Sequence, residues 1–444
     1  MEGRRRPGQL GATIQALNRG EIGGGGYGLG HGTGMSAPSI VVVGAGASGL
    51  MAAIWAAGRG RAVLLLERTG DGGRKILASG GGRCNVLPSV ASPERFVTDS
   101  SPNTLRNMLR SWPLPGQRAF FESEAGLELV LEEETGKLFP ASSSARQVRD
   151  ALVNLARERG VETRFGAKVE EMAPRPGKGW CLRLSEGEEL NASSVILASG
   201  GLSVPATGSD GWGLDALKRL GHRINPTYPA LTPLTADPPL HAHLAGVSLV
   251  VTLEAPRGKK KVVTRGGFLF THRGYSGPAV LDISHAAVRS RLSGEPPQPL
   301  YVRWTDLDAP AWDALLRSPR GSVGTLLAKH LPARLAATLC QESGLEEATA
   351  TAQLKREERL ALVERLVRYR LPWTGDEGYA KAEVTGGGLD LGEVDPRTME
   401  SRRTPGLFLC GEVLDAFGPI GGHNFQWAWS TGRAAGLGAS GGVP

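Results

Sequence analysis

The sequence predicts an α/β protein in which a parallel-sheet domain is split along the chain by an inserted β-barrel-like subdomain and a small helical subdomain. Three observations carry this expectation. Residues 39–67 form a strand–turn–helix–strand pattern of about 30 residues, the size of one β-α-β unit. After Asn225 the texture becomes proline-punctuated and β-rich, and two amphipathic helical runs follow it. From Ala382 strand and glycine texture returns, so a domain opened near one end of the chain closes near the other.

Taken in order, 39–43 is a short apolar strand, 44–49 a glycine turn, 50–59 an alanine-rich helix and 61–67 a second strand. Helical stretches are expected at 103–126 and 144–160, and strands at 161–169, 180–184 and 194–198. The insert carries strand-like runs at 247–253, 261–270 and 279–283, then helical runs at 323–341 and 354–370 that stop at Leu371-Pro372. A strand at 406–410 and a helix from about Asn424 close the chain. The expected organisation is a disordered tail over 1–38, the first part of the split domain over 39–225, a β-rich insert over 226–305, a helical insert over 306–375, the closing part over 376–436 and a tail over 437–444.

A chain of 444 residues needs more than one structural unit, and its 40% apolar and 21% charged residues are ordinary globular usage. The formal charge of +7 permits contact with anions, yet the basic residues are dispersed. The exception, Arg257 to Lys261, separates two strand-like runs and reads as a solvated hairpin tip. Cys84, Cys181, Cys340 and Cys410 form no local metal or redox spacing, which suits a reducing cytoplasm. His241 and His243 have no Cys or carboxylate cluster beside them, so no metal site is expected. The apolar run 40–58 imitates a membrane span, but its glycines argue for a turn. Arg4, Arg5 and Arg6 precede no apolar signal core, and Met35 stands where translation could begin.

Gly44-Ala45-Gly46-Ala47-Ser48-Gly49 fits G-x-G-x-x-G in the strand–turn–helix context that gives the pattern meaning, so the split domain reads as Rossmann-like. Gly23/Gly25/Gly28 and Gly436/Gly438/Gly441 match the same spacing without a preceding strand. Glu67, ending the second strand, can accept from ribose hydroxyls and disfavours a 2′-phosphate, which leaves FAD or NAD. Residues 72–85 place Arg74, Lys75 and Arg83 among flexible glycines, a setting for an anionic cofactor.

Residues 73–85 resemble the loop of the BaiN-like, aminoacetone oxidase-like family of bacterial flavoproteins. The resemblance continues at 198–201 with 207–211, at 270–279 and at 385–388, and is strongest at 410–415 and 418–429. It spans 39–436 in order. It implies FAD rather than NAD, in a split Rossmann-like domain with a β-barrel and helical insert. The residues assigned to the cofactor are Gly44, Gly46, Ala47, Ser48 and Gly49 of the turn, then Glu67 and Arg68. Arg74, Lys75, Gly82, Arg83, Cys84 and Asn85 follow, with Val169 and the run Ala198, Ser199, Gly200 and Gly201. The C-terminal set is Gly411, Glu412, Asp415, Gly421, Gly422, Asn424 and Phe425. Glu412 or Asp415 would bond the ribitol chain, and the helix start near Asn424 would face the flavin ring with a positive dipole.

The expected activity is FAD-dependent oxidation or reduction of a small organic molecule. The resemblance implies reduction of a carbonyl-conjugated double bond with NAD(P)H, and its other label implies amine oxidation. No second glycine fingerprint has strand–turn–helix context, so NAD(P)H would dock only transiently at the substrate cleft. A flavin-containing nucleic-acid binding or modifying protein is the rival class, resting only on the charge and on the Lys259 to Lys261 cluster. His423, Tyr275 and Cys84 are the candidates for proton or thiol chemistry, with Arg273 as an anion contact. Trp427 and Trp429 read as core aromatics. No membrane partner and no stable nucleic-acid complex are expected, and nothing sets an oligomeric state.

Overall fold

A computed structural model of the chain describes residues 39–442 apart from 178, 258, 259, 293, 295, 296, 319 and 320. The expected tail at 1–38, the alternative start at Met35 and residues 443–444 lie outside the described residues, as does Lys259 of the basic cluster.

Five strands lie parallel in the order Leu407–Leu409, Ser194–Leu197, Ile40–Val43, Val63–Glu67, Glu162–Phe165. At the centre, Ile40 stands opposite Ser194 on one side and Val63 on the other. All four side chains of Ile40–Val43 are buried, the pattern of a parallel strand enclosed on both faces. The run 40–58 is therefore a strand, a turn and the helix Ala47–Ala57. No helix among the described residues is long and apolar enough to cross a membrane.

That first helix packs against the last, His423–Ala439, backbone to backbone. A Cβ on Gly432 would lie 2.4 Å from the Ser48 carbonyl oxygen, and one on Gly436 2.3 Å from that of Ala52. Of the C-terminal match to the glycine hexapeptide, Gly436 thus serves helix contact and Gly438 contact with Thr398, and the helix runs past the expected boundary at 436 to Ala439.

The chain leaves this domain through Ile224–Ala230 and returns through Val384–Leu389, two antiparallel strands lying side by side. Between them a seven-stranded sheet runs in the order Tyr369–Arg370, Tyr301–Arg303, Ser248–Arg257, Lys260–Phe270, Gly274–Ser276, Leu234–Thr235, Gly375–Asp376. The β-rich and helical segments share one core, in which Phe268, Phe270, Trp304 and Tyr275 pack with Trp312, Leu339 and Leu366. Tyr369–Arg370 pairs with Tyr301–Arg303, so the chain returns to the β-rich sheet after the helices.

Several elements differ from expectation for local reasons. Residues 279–283, read as a strand, belong to the helix Pro278–Leu292. A five-residue apolar run does not distinguish a strand from a buried helix, and Pro278 occupies the first helical position, where its missing N–H costs nothing. The run 323–341 is broken into Val323–Leu327 and Ala333–Glu342 at Pro332, and 103–126 into Pro102–Arg110 and Leu114–Ser123 at Pro113. An additional helix, Ala309–Arg317, is capped by Asp308. Two three-stranded antiparallel units complete the first part, one of Leu87–Pro88, Lys137–Pro140 and Leu129–Glu132, the other of Val169–Arg175, Gly179–Leu184 and Glu189–Ala192.

Candidate functional site

A cleft of about 450 Å³ runs from the Gly44 turn, past the end of Val63–Glu67, to the start of the last helix. This is the carboxyl end of the parallel strands, where open α/β sheets bind ligands.

The turn's three glycines do three different jobs. Gly44 has φ 103°, and a Cβ there would meet the Ala198 carbonyl oxygen at 2.5 Å. A Cβ on Gly49 would lie 1.8 Å from the Gly44 oxygen, so this glycine lets the helix sit against the strand. Gly46 faces open space, with nothing within 4 Å of its absent Cβ, and it lines the cleft. That is the cradle a pyrophosphate needs, at the first turn of a helix with no side-chain cap. Glu67 accepts from the Ala45 N–H at 2.8 Å and from the Thr69 N–H and hydroxyl at 2.9 and 2.8 Å. A carboxylate has about four acceptor sites, so one remains on Oε2 for a ribose hydroxyl. Ser199 Oγ, also on the cleft wall, is buried without a protein partner. The residues therefore fit a dinucleotide.

Beyond the turn, Arg68 is paired with Asp210, which lines the same end with Thr69 and Trp212. Although burial pushes Asp210 up, Arg68 beside it holds its carboxyl below the usual range. Arg74 Nε donates to Asp71 at 2.6 Å. Lys75 is paired with Glu412, whose other oxygen accepts from Ser203 and from the Thr385 N–H at 2.9 Å and hydroxyl at 2.8 Å. Burial raises the Glu412 pKa, but Lys75 and these bonds outweigh it and hold the carboxyl ionised below the usual range. At the far end, Gly421, Gly422, Asn424 and Phe425 line the cleft where His423–Ala439 begins without a side-chain cap, so its first amides carry the positive end of a 17-residue dipole.

Of the residues assigned from sequence, Gly44, Gly46, Ala47, Ser48, Glu67, Arg68, Arg74, Lys75, Asn85, Val169, Ala198, Ser199, Gly200, Glu412, Gly421, Gly422, Asn424 and Phe425 line this one cleft. Gly49, Gly82, Arg83, Cys84, Gly201, Gly411 and Asp415 are not on its wall. Arg83 pairs instead with Glu132 at 2.9 Å and lies over the Phe139 ring. Asp415 is buried and accepts from the N–H groups of Asp99 and Ser100, both at 2.9 Å, and from the Asn225 amide at 2.7 Å. With Oδ2 engaged this way Asp415 ties loops together. Reading the sequence did not single out Lys137, Glu383, Asp210 or Phe417, all on the cleft wall. They are scattered over distant segments, and only Asp210 lies within a quoted motif.

The three proton or thiol candidates also stand off the cleft. Tyr275 is 0% exposed in the insert core, and its hydroxyl bonds His241 Nδ1 at 2.8 Å. Arg273 is exposed beside Glu377. His423 is packed edge-on against Phe96, and burial, with Arg95 nearby, pulls its pKa down to about 4, so it stays neutral. Burial pushes the Cys84 thiol up to about 12, partly offset by a bond with Ser79. Iodoacetamide is therefore expected to leave Cys84 unmodified in the folded protein and to label it after denaturation, as peptide mass mapping would show. Trp427 and Trp429 donate to the carbonyls of Gly411 and Val86 at 3.1 and 3.0 Å from within the core.

The geometry agrees with comparison to known proteins. The model of the HI0933-like protein Rossmann domain matches residues 38–438. The chain is 36% identical over 395 residues to the ribosomal RNA dihydrouridine synthase of Escherichia coli, covering 88% of this chain and 95% of that protein. It is 32% identical over 409 residues to the 3-dehydro-bile acid delta(4,6)-reductase of Clostridium scindens, covering 90% and 98%. The 3-ketosteroid delta1-dehydrogenase structure from Sterolibacterium denitrificans superposes with a TM-score of 0.51 at 13% identity, covering 92% of this chain and 100% of that one, which shows the shared fold. With a dinucleotide cleft at the end of its parallel sheet and a family match running nearly end to end, the chain belongs to the HI0933-like Rossmann family of FAD-dependent oxidoreductases.

Proposed function

We propose that this protein reduces a carbon–carbon double bond conjugated to a carbonyl, with NAD(P)H as a transient electron donor. One observation carries the reading. Two of its relatives are named for unlike molecules, a ribosomal RNA and a bile acid, yet both names describe saturation of such a bond. In uracil the C5–C6 double bond is conjugated to the C4 carbonyl, and in a 3-oxo steroid the 4,6-diene is conjugated to the C3 carbonyl. Bound FAD would supply hydride to the β carbon of that system.

The chain's own residues bind and orient. The Gly46 amide turn would take the pyrophosphate, Glu67 the ribose, and the uncapped helix start after Gly422 the negative charge that accumulates at the ring end. The single dinucleotide cleft among the described residues is why the nicotinamide is placed, in this reading, at the substrate side.

A small enone is the substrate expected from the sequence. A uracil in ribosomal RNA is the second reading, favoured by the 36% identity to the RNA-named relative and by the +7 formal charge. The test is an anaerobic visible spectrum of the purified flavoprotein titrated with NADH and then NADPH. The reduced protein is then mixed with cyclohexenone or with ribosomal RNA lacking dihydrouridine. Bleaching by one donor and recovery with one substrate, with two hydrogens gained in its mass, is the expected result. A flavin that neither donor bleaches, or that only an amine and oxygen cycle, would overturn it.

A further inference from the structure

Asp282 and Lys137 meet the chain at Ile420 and Gly421, at one end of the cleft that Glu383 also lines. Glu383 lies just before the returning strand Val384–Leu389, and its carboxyl opens to the cleft. Its backbone is fixed on both sides, the N–H donating to the Leu231 carbonyl at 3.2 Å and its own carbonyl accepting from Ser203 Oγ at 3.2 Å. Among the described residues its carboxyl has no hydrogen-bond or ion-pair partner. Asp282, on the insert helix Pro278–Leu292, accepts from the Ile420 N–H at 2.8 Å and stands 3.8 Å from Arg95. Lys137 also lines the cleft, and its chain lies across Gly421, whose absent Cβ would be 3.4 Å from the Lys137 Cε.

Reduction of a conjugated double bond needs a proton as well as a hydride. When hydride adds to the β carbon, the π pair moves to the α carbon and the carbonyl, and the α carbon must take a proton. Cys84, His423 and Tyr275 are all walled off from the cleft. Resting on the reading under Proposed function, we propose that Glu383 is the acid that protonates the α carbon. Bound reduced flavin would supply the hydride and its two electrons; the Glu383 O–H bond breaks as the α C–H bond forms, and the carboxylate left behind is reprotonated from solvent through the open cleft.

The surroundings favour the protonated form of this carboxyl. Glu383 is exposed to the cleft, yet the protein around it strips enough water from the carboxyl to push it up, and the negative charge of Asp282 adds to this, while Lys137 pulls it partly back. Asp282 is itself raised to about 6 by burial, against the pull of the Ile420 amide, Arg95 and Lys137. Ser203, which donates to the Glu383 carbonyl, also bonds Glu412, and that carboxylate is already paired with Lys75.

The test compares the wild-type holoprotein with Glu383→Gln and Glu383→Asp. The first readout is the unfolding midpoint between about pH 5 and about pH 8.5. A carboxyl raised in the folded state contributes stability at low pH that is lost as pH rises through its folded value. Glu383→Gln should therefore gain stability relative to wild type as pH rises, and a difference flat with pH would overturn the proposal. In the second readout, dithionite-reduced protein is mixed with cyclohexenone and with uridine-containing ribosomal RNA. Wild-type reoxidation should slow as pH rises, whereas Glu383→Gln should be on the order of 100-fold slower and flat with pH, with partial rescue in Glu383→Asp. A Glu383→Gln protein that reoxidises at the wild-type rate overturns the acid role. Wild-type protein that reduces neither probe instead overturns the double-bond reading and the acid role with it. The pH dependence of stability then still reports whether Glu383 holds a proton.

Discussion

Replacing Gly46 with valine is expected to give a folded protein that purifies colourless. The Gly46 backbone, at φ −72° and ψ −173°, is a conformation any residue adopts. Nothing in the protein lies within 4 Å of the added Cβ, so the chain tolerates the side chain. The space it fills is the approach to the first turn of Ala47–Ala57, where a pyrophosphate would accept from backbone amides. Charge-assisted bonds of this kind are worth ~1.5–3 kcal/mol each. Losing two of them weakens flavin binding by at least about 100-fold, since about 2.7 kcal/mol is that factor. Gly49→Ala is the contrast, because its Cβ would stand 1.8 Å from the Gly44 oxygen and the first strand–helix packing cannot form. The measurements are the bound-flavin absorbance ratio and the apoprotein unfolding midpoint. Gly46→Val that keeps its flavin, or that unfolds with Gly49→Ala, would refute this division of labour between the two glycines.

The parts of this molecule legible in the sequence are those written locally. An unbroken apolar strand, a glycine turn and an acid at the next strand end are consecutive along the chain, and the fold brings them to one place by a single β-α-β unit. The same holds for the glycines before the last helix. What escaped reading depends on distance. Glu412 and Asp415 are three residues apart in one motif and look interchangeable as ribitol ligands. Only the tertiary structure turns Glu412 to the cleft and closes the amides of Asp99 and Ser100, with the hydroxyls of Thr98 and Ser100, around Asp415. Lys137, Asp282 and Glu383 carry no shared spacing at all, and the helix that presents Asp282 was hidden in an apolar run with no period long enough to read.

The Lys75–Glu412 pair is where charge and fold are most tightly coupled, and Lys75→Met is expected to cost roughly 2–4 kcal/mol of stability, because breaking a buried pair from one side strands the remaining charge. The side chains are 25% and 17% exposed, so partial solvation keeps the loss below that of a fully enclosed pair. Glu412 would retain Ser203 and Thr385 on one oxygen, with the other facing an apolar side chain. The sign of the pH dependence follows. Glu412 is held below the ordinary carboxylate value, so the stability Lys75 confers is present above about pH 4.3 and is lost as pH falls through the depressed value. The gap between wild type and Lys75→Met should be widest near neutrality and close in acid. Adding Glu412→Gln to Lys75→Met removes the stranded charge and should recover about 2 kcal/mol in a double-mutant cycle read from denaturant unfolding. A gap that persists unchanged in acid, or a cycle with no coupling, would mean that Lys75 acts by packing its stem across the cleft wall. Glu412 would then be held ionised by Ser203 and the Thr385 amide alone, and the cation at this point of the cleft would be free for the phosphates of the cofactor.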